Sequence, residues 1–266
     1  MDQIAPKLRP KVSINIATYN RGHFLPMAIE SILKQSFTNW EIIIVDDGST
    51  DNTAQVIEKY LIDPRIHYFK NDQNLGICAT RNRALQESAG EYLAVLDSDD
   101  FWADSDKLKK QVEFLDQEAG QVAIGTGVIV SNKDGQELRR YLNPEQDGQI
   151  RPRLLAKNPF AHSSVLYRRN IALAVNGYHQ KLNGIEDYDL WLKLGQKGKF
   201  HNLPFYGLNY RQHETNISST DRLRLMNENL SLVKKYRAFY PGFYRAWLRR
   251  FVRLQIARLL FFWLNR

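Results

Sequence analysis

The sequence predicts an α/β protein with a mostly parallel, doubly wound sheet flanked by helices. Three observations predict it. Short apolar or β-branched runs alternate with segments of helical apolar spacing through the first hundred residues, joined by short connections. That is the pattern of repeated β-α-β units with parallel strands. The runs ending at Ala17, Val45 and Leu96 are each followed at once by a polar cluster, at 18–21, 46–49 and 97–100. Ligands of such sheets bind beyond the carboxyl ends of the strands, so clusters far apart in sequence converge on one edge.

The elements follow in order. Residues 12–17 are strand-like and lead into the polar turn Thr18-Tyr19-Asn20-Arg21-Gly22. Residues 24–35 place Leu25, Ala28, Ile29, Ile32 and Leu33 at helical spacing. A second strand over 40–45 ends in Asp46-Asp47-Gly48-Ser49; 53–60 reads as a helix and 66–69 as a third strand. After the turn Asn74-Leu75-Gly76 comes a helix over 78–87, then a fourth strand over 91–96. The second half is less regular. It gives a helix over 107–118, a strand over 122–131 and a hairpin turn at Lys133-Asp134-Gly135. A strand over 163–167, a short helix over 169–175, a helix over 187–194 and a strand over 200–208 follow. Gly195 or Gly198 stops the helix that begins at 187.

Composition narrows the function classes. An apolar fraction of 43% is that of an ordinary globular protein. The single cysteine, Cys78, excludes an internal disulfide framework and a thiolate zinc cluster, and fits a reducing compartment. Residues 1–10 carry no apolar signal-peptide core, and no uncharged apolar stretch reaches 18 residues. The expected location is cytoplasmic; the resemblance and the basic tail described below add the inner face of the plasma membrane as a peripheral site. The net charge of +8 is uneven: residues 221–266 hold eleven Lys/Arg against two acids, or +9, and the other 220 residues carry −1. A basic tail on a neutral body argues against nucleic acid as partner.

Tyr92-Leu93-Ala94-Val95-Leu96-Asp97-Ser98-Asp99-Asp100 carries the most chemistry. Three carboxylates within four residues repel one another and raise each other's pKa unless a cation sits among them. A hard divalent metal, Mg²⁺ or Mn²⁺, is the simplest such cation, and such metals hold phosphates. The alternative is a solvated acidic turn that caps the next helix.

Together these residues resemble the signature set of family-2 glycosyltransferases. The resemblance rests on Thr18-Tyr19-Asn20-Arg21, Val45-Asp46-Asp47-Gly48-Ser49-Thr50-Asp51, Asn74-Leu75-Gly76 with Arg81-Asn82, and Leu96-Asp97-Ser98-Asp99-Asp100. It continues through His162-Ser163-Ser164, Gly184-Ile185-Glu186-Asp187-Tyr188-Asp189-Leu190-Trp191 and Tyr210-Arg211-Gln212-His213. Each motif alone is weak; seven in order over residues 10–220 are specific. The resemblance implies a GT-A fold, Rossmann-like, and inverting transfer of a sugar from a nucleotide-diphosphate donor, a UDP-sugar, with Mn²⁺ or Mg²⁺. It divides the chain into a transferase domain over 1–220 and a basic amphipathic extension over 221–266. Residues 1–100 form the nucleotide-binding half and 101–220 the acceptor half.

Site residues follow from the same resemblance. Thr18, Tyr19, Asn20, Arg21, Asp47, Asn74, Gly76, Arg81, Asn82, Asp97, Ser98 and Arg211 are expected to bind the nucleotide-sugar. Asp99, with Asp97 and His213, is expected to hold the metal; Asp97 alternatively contacts ribose or metal-bound water. Asp187 is the expected base, kept ionised at the start of a helix. Asp189 reads as structural or acceptor-facing, Trp191 as core with a sugar-stacking wall as the alternative, and Asp100 has no role beyond capping.

The tail changes composition. Residues 223–238 read as a helix, Pro241-Gly242 as a break, and 243–264 as a helix interleaving arginines with aromatic and aliphatic residues. That pattern suits an anionic membrane surface, where a glycan or lipid-linked acceptor would reside. Packing on the domain, or on a second subunit in a homodimer, is the alternative. Two rival functions remain open: a non-catalytic nucleotide-sugar or glycan binder, and a nucleotidyltransferase. The latter usually needs a Gly-rich phosphate loop, and the first strand here is followed by a single glycine, Gly22.

Overall fold

Three of the four strands of the first half are buried on both faces, and that dictates where they sit. In the computed structural model, β1 (Val12–Thr18), β2 (Trp40–Asp46) and β4 (Tyr92–Val95) are buried almost throughout. Such strands are stable only between two layers of helices. The structure describes residues 9–133, 135–213 and 221–264. β3 (Ile66–Lys70) lies beside β2, and the order β3-β2-β1-β4 is parallel throughout. Helices α1 (Leu25–Leu33), α2 (Thr53–Glu58) and α3 (Ile77–Glu87) make the crossovers. The periodic residues of α1, Leu25, Ala28, Ile29 and Ile32, are all fully buried.

Beyond β4 the sheet becomes mixed. It continues through β8 (Leu166–Arg168), β6 (Gln121–Ser131), β9 (Lys199–Arg211) and β5 (Phe101–Trp102), with β7 (Glu137–Tyr141) paired to β6. β8 is antiparallel to β4 and β6, β5 to β9 and β7 to β6, whereas β6 and β9 run parallel. Beyond β4 the parallel arrangement expected from the first half survives only in the β6–β9 pair among the described strands. Two strands and an α-helix were not expected: β5, of two residues; β7, whose exposed Glu-Leu-Arg-Arg-Tyr has no apolar face; and α5 (Asp147–Ile150). The strand expected over 163–167 is instead a 3-10 turn at His162–Ser164 followed by β8. Residue 134 of the expected hairpin turn lies outside the described residues.

Helices α4 (Lys107–Gln117), α6 (Arg169–Ala174) and α7 (Glu186–Leu194) complete the body. Trp191 is fully buried and meets Phe160 and Tyr167 edge to face, as a core residue should. The tail packs on this core. Asp189 of α7, fully buried, accepts from Lys235 and the Tyr236 hydroxyl at the end of α8 (Arg222–Lys235). Helix α9 (Phe243–Leu264) buries Ala246 and Leu254, and Arg250 reaches the Leu155 carbonyl and the Tyr188 hydroxyl. Its opposite side remains exposed, so one helix carries both a docked and a bare face. The expected domain boundary at 220 falls outside the described residues.

Candidate active site

β1, β2 and β4 end side by side, and β1 is where the strand order reverses direction. A cleft of about 530 Å³ opens there, at the place the topology assigns to ligands. Thr18, Tyr19, Arg21, Asp47, Asn74, Gly76, Arg81, Asp97, Ser98, Asp99 and Asp187 all line it. Asn20, Asn82, Arg211 and His213, expected at the same site, are placed differently.

The first two clusters are loop-building residues as much as cleft walls. Asn20 sits in a left-handed conformation, and its Oδ1 accepts from the Thr50 amide at 2.9 Å. It ties the turn after β1 to the loop after β2. Asp47 accepts from Asn71 Nδ2 at 2.8 Å, the Leu75 amide at 2.8 Å and the Gly76 amide at 2.9 Å. It thereby fixes the turn at the start of α3, where Gly76 has a positive φ of 89° that a side chain would resist. Asn82 exchanges bonds with the backbone of Tyr178, 2.8 Å each way, and ties α3 to the second half.

The central acids separate by partner. Asp97 Oδ1 accepts from Arg81 Nη2 at 2.6 Å, and His162 Nδ1 lies 3.2 Å away. Burial alone would raise its pKa. The Arg81 guanidinium and His162 outweigh that and hold the carboxyl well below the usual carboxylate range. Arg81 also pairs with buried Glu186. Burial opposes its charge, yet Asp97 and Glu186 together push its pKa up. The cation that compensates Asp97 is thus part of the protein. Asp99 Oδ2 lies 3.0 Å from His213 Nε2, and His213 stacks on Phe24. Asp100 is buried, which a solvated acidic turn would not require. It accepts from Ser163 Oγ at 2.6 Å and the Arg211 amide at 3.0 Å. Burial and its acidic neighbours push its pKa up. The Arg211 side chain is buried against the rings of Phe24 and Phe101, behind the cleft wall.

Asp187 faces these groups from the start of α7. Its Oδ2 accepts from Asn158 Nδ2 at 2.8 Å and its Oδ1 from the Tyr188 amide at 2.7 Å. The helix start was expected to lower its pKa. Burial instead raises it, opposed by His162 and reinforced by Glu186. Among the described residues no group of three or more His, Cys, Asp or Glu is arranged to hold a metal alone. The Asp99–His213 pair still fits a hard divalent ion that takes its remaining oxygens from a bound phosphate and water. Thr18 Oγ1 and Arg81 Nε, buried beside the cleft, make no hydrogen bond within the protein. Such orphans are expected where a polar ligand completes a site.

The sequence profile of Glycosyl transferase family 2 matches residues 13–174. The chain belongs to that family. An Escherichia coli relative, the UDP-Glc:alpha-D-GlcNAc-diphosphoundecaprenol beta-1,3-glucosyltransferase WfaP, is 33% identical over 221 residues, covering 82% of this chain and 84% of WfaP. S. aureus TarS 1–349, solved with UDP-GlcNAc, superposes with a TM-score of 0.68 at 21% identity, covering 84% of this chain and 66% of that one. The mannosyltransferase PcManGT of Pyrobaculum calidifontis, solved with GDP-Man and Mn²⁺, gives 0.70 at 18% identity, covering 95% and 72%. These likenesses show the fold, which is GT-A. Among the curated relatives the share of their length that this chain spans runs from 26% to 84%.

Several cleft residues of this family-2 glycosyltransferase were not anticipated. Arg139, Tyr141, Phe160 and Asn183 line the cleft from the second half, and Asn158 holds Asp187. None sits in a polar cluster at a parallel-strand exit, the signal that revealed the others. For Arg139 and Tyr141 the available signal was their two-residue spacing, which puts them on one face of a strand.

Proposed function

We propose that this protein is an inverting, metal-dependent glycosyltransferase that moves a sugar from a UDP-sugar to a hydroxyl of a lipid-linked glycan acceptor. The observation that carries the reading is the placement of Asp187 across one cleft from Asp97 and Asp99. In the reaction Asp187 takes the acceptor hydroxyl proton. The oxygen attacks the sugar C1 from the face opposite the diphosphate, and the bond from C1 to the phosphate oxygen breaks as UDP leaves. A pKa raised by burial makes Asp187 a stronger base than an ordinary aspartate. Asp97 is oriented by Arg81 toward the ribose or metal-bound water, and Thr18, Tyr19, Arg21, Asn74 and Gly76 surround the nucleotide. Asp99 and His213 would hold Mn²⁺ or Mg²⁺, which supplies positive charge to the leaving diphosphate.

The acceptor class rests on the names of relatives such as WfaP. It is supported by α9. No described helix is long and apolar enough to cross a membrane, but α9 bares Tyr244, Leu248, Phe251, Val252 and Leu259 on the side away from the body. Arg245, Arg249 and Arg253 border that stripe on one side and Arg258 on the other. An apolar stripe between arginines suits the interface of an anionic bilayer. No acid occurs between 243 and 264, so a second copy laid on this face would oppose arginine to arginine. A thermal-shift panel of nucleotide-sugars with and without Mn²⁺ tests the donor reading, because a ligand of the folded state alone raises its stability. The reading requires a UDP-sugar to stabilise the protein more with Mn²⁺. No shift with any nucleotide-sugar would contradict it.

A further inference from the structure

The strand β7 adds an outer wall to the cleft, and its register decides what that wall presents. Arg139 pairs with Val130 of β6, and Val130 with Tyr210 of β9. All three line the cleft. They form a row across three strands. Tyr141, two residues on, shares the face of Arg139 and also lines the cleft. Arg140 points the other way, where Glu137 binds it at 2.7 and 2.6 Å. Arg139 has no carboxylate partner among the described residues; its contact is the Tyr141 ring, 5.8 Å from the guanidinium. Lys157 lies at the same 5.8 Å from that ring and likewise has no carboxylate partner among the described residues. Its chain neighbour Asn158 is the residue that holds Asp187.

Two cations without a carboxylate partner among the described residues therefore share one aromatic ring of the cleft that the candidate base also lines. Arg81, another arginine of the cleft, is by contrast committed to Asp97 and Glu186. From this geometry we infer that Arg139 and Lys157, with Tyr141 between them in function, form a subsite for a phosphate group of the acceptor. Tyr141 offers an apolar face for the acceptor sugar, and the cations take the phosphate that links this sugar to its carrier. An arginine suits this work because its planar fork matches two phosphate oxygens. The inference rests on the lipid-linked acceptor proposed above and names which of that acceptor's groups the protein reads.

The test is equilibrium binding by the full-length protein, with UDP and Mn²⁺ present, of two probes. One is N-acetylglucosamine diphosphate carrying a short farnesyl tail; the other is the uncharged farnesyl glycoside of the same sugar. The wild type should bind the diphosphate probe at least about tenfold more tightly, a preference that weakens with added salt as charge pairing requires. Arg139→Gln with Lys157→Gln should remove that preference, and Arg139→Lys should restore part of it. UDP binding by each variant, measured separately, reports that the fold and the donor side are intact. Equal wild-type affinity for the two probes, or a double variant that still prefers the diphosphate, would overturn the inference. Failure of UDP to bind the wild type would instead count against the donor reading, so the two failures are distinguishable.

Discussion

Asp187 shows how one side chain is set by opposing terms. The helix start favours its charged form, burial disfavours it, and burial wins. The sign has a kinetic consequence. A base must be deprotonated, so kcat/KM should fall as pH drops through the Asp187 pKa. That acid limb should lie above the 3.8 of an ordinary aspartate. A profile flat down to pH 4 would exclude a buried carboxylate as base. Asp99 and His213 make a second prediction at this scale. Replacing either by Ala should abolish the gain in UDP affinity that Mn²⁺ provides, read by titration with and without the ion; an unchanged gain would place the metal elsewhere. The residue types of the cleft were legible in the sequence because polar clusters at strand exits have few other uses. Their division of labour was not. Asp47 and Asn20 build loops, and Arg211 is buried between rings. Nothing in local sequence tells a loop-building aspartate from a ligand-binding one.

At the scale of elements, the Arg81 guanidinium joins α3, β4 and α7 by binding Asp97 and Glu186. Removing one partner of a buried ion pair leaves the other uncompensated, at a cost of about 3–5 kcal/mol. Arg81→Met should lower the melting temperature by that measure, read by calorimetry, and a loss under about 1 kcal/mol would show that the clamp is not structural. Lys107 of α4 gives a cleaner test of sign. It is fully buried, donates to Gln111 Oε1 at 2.8 Å and lies over the Trp102 ring. Burial pushes its pKa well below the ordinary value. The unfolded chain then binds a proton that the folded one has lost, so its contribution to stability improves as pH rises toward the ordinary lysine range. The stability difference between wild type and Lys107→Met should therefore move in favour of the wild type by up to about 1.4 kcal/mol per pH unit. A pH-independent difference would mean a charged, paired lysine. The elements themselves were legible where periodicity was strong. α1, β2 and β6 lie within a residue or two of their expected bounds. β7 and β5 escaped because an exposed edge strand and a two-residue strand have no apolar pattern; they exist only because β6 and β9 are there to pair with.

Over the whole molecule, charge and apolar surface are segregated. The body is nearly neutral and the basic excess lies in residues 221–266. One face of α9 is docked on the core and the other is bare. A chain ending at residue 242 should stay folded, since the α7–α8 anchor through Asp189 is retained. It should lose sedimentation with vesicles containing phosphatidylglycerol while ignoring neutral vesicles, as full-length protein should. Equal sedimentation of the two chains would remove α9 as the contact. The composition of the tail left a membrane surface and packing on the domain both open; which of its residues pack on the core was not legible, because Asp189, Lys235 and Tyr236 meet only in the fold.

The central claim is that Asp187 works as the base of a sugar-transfer site formed at the ends of β1, β2 and β4. The most direct test is transfer from the UDP-sugar that stabilises the protein in the thermal-shift panel to a lipid-linked sugar acceptor by wild type and Asp187→Asn, with the UDP dissociation constant of each measured alongside. The account predicts a rate loss of about 10²–10⁴-fold at unchanged UDP affinity. Asp187→Asn turning over at the wild-type rate would contradict it.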